Sequence, residues 1–253
     1  MTDVGQMMAR PIAHRGFHNS DAGIIENTPT AISAAVDRTF AIEVDVQETA
    51  DGDPLVFHDD TLDRLTEATG RVIERPTASL TGIAMKEGGD RLWLLQDLFA
   101  LVNGKVPLVI EIKSLMRPGA QAEFVRNVVD QVAAYKGPAA VKSFDPDMLS
   151  IAKAHRPHVL RGIVSEAMRP EGEYRRMTRM ERFILSNMLH LPRTRPHFIS
   201  YGIRSLPGTA PFFCRKVLGL PVMTWTVRTR DQRDRAARYA DQIVFEGFDP
   251  DAG

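Results

Sequence analysis

Short apolar runs alternate along the chain with longer segments in which apolar residues recur at helical spacing. Runs typical of buried strands lie at residues 9–13, 107–112, 139–142, 159–164, 197–200, 222–227 and 242–245. A first helix is predicted to begin at Pro29, because Asn27 or Thr28 can cap it. Strand–helix alternation over this length predicts an α/β fold, a single (β/α)8 TIM-like barrel that takes up residues 1–253 as one domain.

The region after the first helix departs from this alternation. Two strand candidates lie there, one around Glu43 and one beginning at Leu55, and residues 48–54 between them are too few for a crossover helix. A hairpin and a short parallel return are both open. With these two, the strand candidates outnumber the places in a barrel, so at least one is expected to be wrong. Residues 61–91 are predicted to form a short insertion after the third strand, with little regular structure.

Two acidic residues share one face of the strand around Glu43. In Ile42-Glu43-Val44-Asp45-Val46 the side chains alternate between the two faces, so Glu43 and Asp45 project together. Burying both without a positive partner would cost several kcal/mol. A hard divalent cation with oxygen ligands satisfies them, with His58 nearby. Ion pairs with Arg15 and Lys113 are the alternative.

The predicted strand ends carry further polar side chains. The working residues of such a barrel lie at the carboxyl ends of its strands. The residues that fall there are His14, Glu43, Asp45, His58, Glu111 and Lys113. None is specific alone, since a lone histidine at a strand end is more often structural than catalytic. Their coincidence, with Arg15 beside them, fits a site for a metal and a phosphate better than core packing.

Composition narrows the partners and the compartment. Lys+Arg and Asp+Glu both total 32, so charge gives no reason to expect a nucleic acid. Cys214 lies in an apolar run and is predicted to be a core residue. The first eleven residues lack a signal-peptide core, and no apolar stretch is long enough to span a membrane, so a soluble, cytoplasmic protein is expected. The oligomeric state stays open.

Several motifs together make the sequence recognisable. They are Ile12-Ala13-His14-Arg15-Gly16, Glu26-Asn27-Thr28, Glu43-Val44-Asp45-Val46-Gln47-Glu48-Thr49, Asp51-Gly52, Val56-Phe57-His58-Asp59-Asp60-Thr61-Leu62-Asp63-Arg64, Glu111-Ile112-Lys113, Ser143-Phe144 and Trp225-Thr226-Val227. In this order they resemble the glycerophosphodiester phosphodiesterase family, whose members have a phospholipase C-like TIM barrel. The resemblance is dense over residues 10–66 and continues as islands to the end of the chain.

The resemblance implies a role for each matched residue. It implies that Glu43, Asp45 and Glu111 bind a divalent cation, and all-oxygen ligation favours Mg²⁺ or Ca²⁺. It implies that His14 and His58 are the general acid and base, with the two roles unassigned. Arg15 and Lys113 are expected to bind the substrate phosphate, and the resemblance implies that Trp225 lines the substrate pocket. An aromatic residue closing the barrel core is an equally open interpretation of Trp225.

The implied reaction is metal-dependent hydrolysis of a glycerophosphodiester to sn-glycerol 3-phosphate and an alcohol. The alternatives are a lysophospholipase D-type activity on a lysophospholipid and a non-catalytic phosphate-metabolite binding protein. Two departures from the family pattern are Leu92-Trp93-Leu94 and Val244-Phe245-Glu246-Gly247, the latter where many members have Ile-Thr-Asp. Neither is expected to touch the metal or the histidines, and both bear on the identity of the substrate.

One segment suggests a second kind of partner. Residues 168–195 are rich in arginine, and residues 171–191 are predicted to be helical with methionines at helical spacing. A basic amphipathic helix can rest on an anionic membrane and bring the site to a lipid. A barrel helix with a solvated charged face is the favoured interpretation.

Overall fold

A computed structural model describes residues 3–170, 174–175 and 177–252 of the chain. One sheet contains all the strands assigned within these ranges. In chain order they are β1 (Ile12–His14), β2 (Ala41–Glu48), β3 (Pro54–Val56), β4 (Leu108–Ile112), β5 (Ala139–Ser143), β6 (Leu160–Ser165), β7 (Phe198–Gly202), β8 (Val222–Val227) and β9 (Gln242–Phe245). Eight of them close into a parallel barrel, because β1 pairs with both β2 and β9. The predicted TIM barrel is confirmed.

The remaining strand, β3, lies outside the ring. It pairs antiparallel with β2, with Val56 opposite Val46 and Leu55 opposite Gln47. The connection is therefore a hairpin, and Gly52 at φ +80° makes its turn. Every predicted strand is present, so the expectation that at least one was wrong is corrected. The surplus strand extends β2 beyond the barrel edge without taking a place in the barrel.

Helices connect most of the strands and cover the outside of the barrel. They are α1 (Val4–Met7), α2 (Pro29–Asp37), α3 (Thr77–Leu80), α4 (Leu95–Val102), α5 (Ala122–Ala134), α6 (Pro146–His155), α7 (Arg179–Ser186), α8 (Leu191–Thr194), α9 (Thr209–Lys216) and α10 (Arg230–Tyr239). The start of α2 is as predicted, since the Thr28 hydroxyl accepts a hydrogen bond from the Ala31 amide at 3.4 Å. Among the described residues, no helix is both long and apolar enough to cross a bilayer.

The helix predicted over residues 171–191 is shorter and later than expected. Residues 171–173 and 176 lie outside the described part of the chain, and α7 begins only at Arg179. Thr178 caps it, accepting from the Glu181 amide at 3.1 Å while Glu181 accepts from the Thr178 amide at 2.7 Å. This reciprocal capping box is a start signal within the predicted helix. The helix predicted from the methionine spacing therefore extends too far at both ends.

The inside of the barrel is layered along the strands. Its lower layer is apolar and is formed by Ile12, Ala41, Val109, Ala140, Leu160, Phe198, Met223 and Val244, with Met7 of α1 packed against them. Successive inward positions on a strand are two residues apart. The next inward positions therefore include polar or charged groups on several strands: His14, Glu43, Glu111, Lys142, Ser200 and Glu246. The site is built on this second layer, near the carboxyl ends of the strands.

Candidate active site

Three buried carboxylates stand at the centre of the barrel mouth. Glu43 and Asp45 lie on β2 and Glu111 on β4, where the strand register places Asp45 directly beside Glu111. One carboxylate oxygen from each residue lies within 4.8 Å of the others. The predicted sharing of one face by Glu43 and Asp45 thus brings them together with Glu111. We call these three residues the acidic triad.

Three cationic side chains contact the acidic triad. Lys113 Nζ lies 2.9 Å from both Asp45 Oδ1 and Glu111 Oε1. Lys142 Nζ lies 2.9 Å from Glu43 Oε1 and from Glu111 Oε2. Arg15 Nε is 3.4 Å from Asp45 Oδ2. The ion pairs to Arg15 and Lys113 that the sequence left open are therefore present, and Lys142 adds two more.

These contacts keep the buried groups ionised. Burial opposes ionisation of Asp45, but Lys113 above all holds the pKa of this carboxyl well below its usual range. Burial likewise opposes ionisation of Glu111, yet Lys113 and Lys142 lower its pKa to about 2. For Lys142 itself, burial lowers the pKa, while Glu111 and Glu43 outweigh burial and raise it above its usual value. Asp45, Glu111 and Lys142 therefore carry charge in the folded protein.

The donors of the acidic triad fit a hard divalent cation. They are carboxylate oxygens from three residues, the ligands that Mg²⁺ and Ca²⁺ prefer. Glu43 Oε1 is buried and has no hydrogen-bond partner of acceptable geometry, although Lys142 Nζ is close. Asn27 fixes the orientation of Asp45, donating from Nδ2 to Oδ2 at 3.0 Å. An oriented cluster with an unsatisfied buried oxygen is consistent with a metal ligand set.

His14 is held by a residue that follows β9, the strand paired with its own strand β1. Its Nδ1 lies 2.8 Å from Oε2 of Glu246, which follows β9, and its Nε2 faces Glu43 Oε2 at 3.9 Å. Arg228 contacts the same Glu246 carboxylate at 3.0 Å. Burial alone would raise the pKa of Glu246, but His14 and Arg228 bring it to about 2, so the carboxylate accepts and Nδ1 carries the proton. This leaves Nε2 of His14 free toward the acidic triad.

His58 has a similar support from its own loop. Its Nδ1 lies 2.7 Å from Oδ1 of Asp59, the next residue. Arg64 donates to both oxygens of Asp59, at 2.6 and 3.0 Å, and to both oxygens of Glu26. Burial raises the pKa of Asp59, but the hydrogen bonds from His58 and Arg64 hold it well below its usual range. Nε2 of His58 is again the nitrogen left for chemistry.

The turn after β1 brings the backbone against the acidic triad. Arg15 has φ +56°, a conformation uncommon for residues other than glycine, and Gly16 follows at φ +83°. The Arg15 amide donates to Glu43 Oε2 at 3.2 Å. A Cβ at Gly16 would lie 2.9 Å from the carbonyl carbon of Ala31 in α2, so only glycine fits there. The backbone is strained where it meets the site, as is common at functional sites.

A cavity of about 1200 Å³ opens above the acidic triad. His14, Arg15, His58, Lys113 and Trp225 all line it. Trp225 packs edge-on against Phe144, with ring centroids 5.5 Å apart, and also against the apolar layer of the barrel, so it lines the cavity and contacts the core as well. Further residues that line the cavity include Met116, Glu166, Met168, Arg169, Tyr174, Met177 and Arg204.

The structure brings all eight predicted site residues to this mouth. It also reveals three charged contacts that the sequence analysis missed, from Lys142, Glu246 and Asp59. The expectation that the change at Glu246 does not touch the histidines is wrong, because Glu246 contacts His14 directly. The signal for Lys142 and Glu246 was available, since they follow the inward-facing Ala140 and Val244 by two residues. Cys214 is buried and its pKa is raised by burial to about 11, as expected for an inert core thiol.

Fold and site together define a TIM-barrel protein with a buried carboxylate cluster and two carboxylate-supported histidines at the barrel mouth. A model of the glycerophosphoryl diester phosphodiesterase family matches residues 14–245, and the chain belongs to that family. It is 29% identical over 234 residues to a glycerophosphodiester phosphodiesterase of Caldanaerobacter subterraneus subsp. tengcongensis, covering 88% of each chain. It is also 45% identical over 64 residues to human glycerophosphodiester phosphodiesterase 1, covering 25% of this chain and 18% of the human protein.

Solved structures show the same fold. A phosphodiesterase of Oleispira antarctica, solved in complex with the product sn-glycerol-3-phosphate, has a TM-score of 0.76 at 21% identity over 94% of this chain and 93% of that chain. A glycerophosphodiester phosphodiesterase of Thermotoga maritima has a TM-score of 0.68 at 21% identity, covering 92% of each chain. These structures support the fold, and the match of the family model over residues 14–245 confirms the family expected from the motifs.

Proposed function

We propose that the protein hydrolyses a glycerophosphodiester to sn-glycerol 3-phosphate and an alcohol. The observation that carries this proposal is the placement of His14 and His58 in one cavity with the acidic triad, each histidine held at Nδ1 by a carboxylate. The product complex of the Oleispira antarctica relative supports the choice of product.

The two histidines supply acid–base catalysis. A carboxylate on Nδ1 fixes the tautomer and presents Nε2 to the substrate. One histidine takes the proton of the nucleophile and the other protonates the departing alcohol, each contributing about a hundredfold to ten-thousandfold. Because the two supports are alike, the two roles stay unassigned.

The acidic triad would hold Mg²⁺ or Ca²⁺. Bound there, the ion would supply Lewis-acid chemistry for the phosphate and would make the nucleophile easier to deprotonate. Lys113 and Arg15 place positive charge at the same mouth, where it stabilises the additional negative charge of the transition state. Arg15 is already paired with Glu26 at 2.7 Å, which fixes the plane of its guanidinium beside the cavity. Trp225 forms a wall against which the substrate packs.

The test is release of glycerol 3-phosphate from glycerophosphocholine and glycerophosphoethanolamine, with Mg²⁺, with Ca²⁺ and with EDTA. We expect metal-dependent turnover that Glu43→Gln abolishes. His155→Ala is the matched control, since His155 pairs with Asp130 on the outer helices. Metal and glycerol 3-phosphate binding without turnover of any substrate would favour the phosphate-metabolite binding protein instead.

A lysophospholipid is the second candidate substrate, on the strength of α7. Met180 and Phe183 are 65% and 58% exposed, beside Arg179, and α7 follows residues that line the cavity. Exposed apolar side chains among arginines are typical of a surface that contacts an anionic bilayer. Turnover of lysophosphatidylcholine that rises with anionic vesicles and falls in Met180→Ser/Phe183→Ser would select this substrate. Equal turnover of lysophosphatidylcholine by wild type and variant would favour the water-soluble glycerophosphodiester as the substrate.

A further inference from the structure

The proposed function does not use Lys142, although Lys142 lies inside the acidic triad. Its side chain is 2% exposed and comes from β5, where register places it beside Glu111 of β4. Its ammonium lies 2.9 Å from Glu43 and 2.9 Å from Glu111, between two of the three carboxylates that would ligate a metal. A buried ammonium in such a position acts as a cation of the site in its own right.

Three cationic side chains already neutralise the three carboxylates. Lys113 pairs with Asp45 and Glu111, and Lys142 pairs with Glu43 and Glu111. Arg15 pairs with Asp45 and also with Glu26 outside the triad. A divalent ion added to this set leaves the site with an excess of positive charge at close range. Charges a few ångströms apart at a partly buried site interact strongly, so the excess lowers the affinity for the ion.

We propose that Lys142 is the resident cation of the acidic triad, so that a divalent cation and a phosphate ester bind the site together and each binds weakly alone. This inference rests on the proposed function. The phosphate supplies the negative charge that balances the incoming ion. It also offers a new partner to the Lys142 ammonium, which lines the cavity and loses its contacts to Glu43 and Glu111 when a metal takes those oxygens.

The coupling is measured first in the wild-type protein. Mg²⁺ and Ca²⁺ are titrated calorimetrically with no anion, with glycerol 3-phosphate and with inorganic phosphate, each corrected for metal–anion complexes in buffer. We expect saturating glycerol 3-phosphate to tighten metal binding by about fivefold to 150-fold, the usual range of coupling between two sites. By linkage, the metal must tighten glycerol 3-phosphate binding by the same factor. Equal metal affinity with and without both anions would overturn the proposal.

Substitutions then assign the coupling to Lys142. Lys142→Met keeps the length of the side chain and removes its charge, and it should tighten metal binding to the anion-free protein by about tenfold or more. It should also shrink the effect of glycerol 3-phosphate. Lys142→Arg keeps the charge and should keep the coupling, while Lys105→Met removes an exposed charge at the other end of the barrel and should match wild type.

The outcomes separate this inference from the proposed function. If Lys142→Met folds and binds metal with wild-type affinity, Lys142 is only a structural ion-pair partner and the inference fails. If Lys142→Met does not fold, the titrations of wild type and Lys142→Arg still test whether the metal and the anion bind together. Absence of metal binding in every arm, or of diester turnover, would count against the proposed function. Turnover with anion-independent metal binding would remove only the inference about Lys142.

Discussion

The two histidines have the same local chemistry and different structural origins. Each presents Nδ1 to a carboxylate that an arginine holds in turn, Glu246 and Arg228 for His14, Asp59 and Arg64 for His58. The support of His14 comes from the opposite end of the chain, across the closure of the barrel between β1 and β9. The support of His58 is its neighbour in sequence, in the loop after β3.

The difference in origin predicts a difference in rigidity and access. The side chain of His14 is 10% exposed, at the end of a barrel strand, whereas that of His58 is 28% exposed on a loop beside the insertion. Groups on regular elements are held more precisely than groups on loops. A closed barrel thus positions one histidine through its fold, and a local salt-bridge network positions the other.

The largest effect should come from removing either imidazole. We expect His14→Gly and His58→Gly each to lower kcat by about a hundredfold to ten-thousandfold, because each loses one proton transfer. Added imidazole should restore more activity to His58→Gly, since that position is more open to solvent. The measurement is glycerol 3-phosphate release across an imidazole series. Equal rescue of the two variants would show that exposure in the free protein does not set access.

Removing the supporting carboxylates should have a smaller effect. Glu246→Gln and Asp59→Asn preserve shape, but the amide no longer fixes the proton on Nδ1 and lets the imidazole adopt the other tautomer. We expect kcat to fall about 10- to 100-fold in each, as for other groups that orient catalytic or ligating histidines. Steady-state kinetics on glycerophosphocholine give kcat and KM separately. A rise in KM with unchanged kcat would mean that the carboxylates bind substrate and do not orient the histidines.

What could be predicted from the sequence follows the same division between local contacts and contacts across the closed barrel. The apolar runs located seven of the nine strands assigned in the described part of the chain, because burial on both faces makes barrel strands nearly continuous in apolar residues. Alternation also placed Glu43 and Asp45 on one face. Contacts within a short stretch, such as His58 with Asp59, were within reach of the sequence. The contact of Glu246 with His14 joins residues 232 positions apart and needs the closed ring.

Lys142 shows a different limit. Its inward position follows from the two-residue period after Ala140, but a lysine at a strand end is ordinarily solvated. Only the register of β5 against β4 shows that it pairs with Glu111 inside the triad. The prediction of the length of α7 is wrong for a local reason, since the helical spacing of methionines extends beyond the capping box at Thr178.

Substitution of the arginines that hold the two carboxylates should further distinguish the support of His14 from that of His58. The expected effects on kcat are modest. Arg64 makes contacts to both Asp59 and Glu26, whereas Arg228 contacts Glu246 alone among the carboxylates of the described residues. Both are nearly half exposed, and an exposed ion pair contributes about 1 kcal/mol or less, so Arg228→Met should cost less than about fivefold in kcat. Arg64→Met should cost more and speed amide hydrogen exchange over residues 58–71. Identical effects of the two variants would mean that the loop needs no clamp beyond Asp59.

The smallest expected effect is on acid stability, through Glu246. Its pKa is lowered from 4.5 to about 2 in the folded protein, against the effect of burial and because of His14 and Arg228. A lowered pKa means that the unfolded chain binds the proton more readily, so the stabilisation is complete above pH 4.5 and is lost as the pH falls toward 2. Partial exposure screens these interactions, so the contribution should be on the order of 1 kcal/mol. Urea unfolding of wild type and Glu246→Gln should therefore differ most near pH 6 and converge by about pH 2. A difference that persists unchanged at low pH would show that the charge of Glu246 does not stabilise the fold, and that the barrel holds His14 by packing alone.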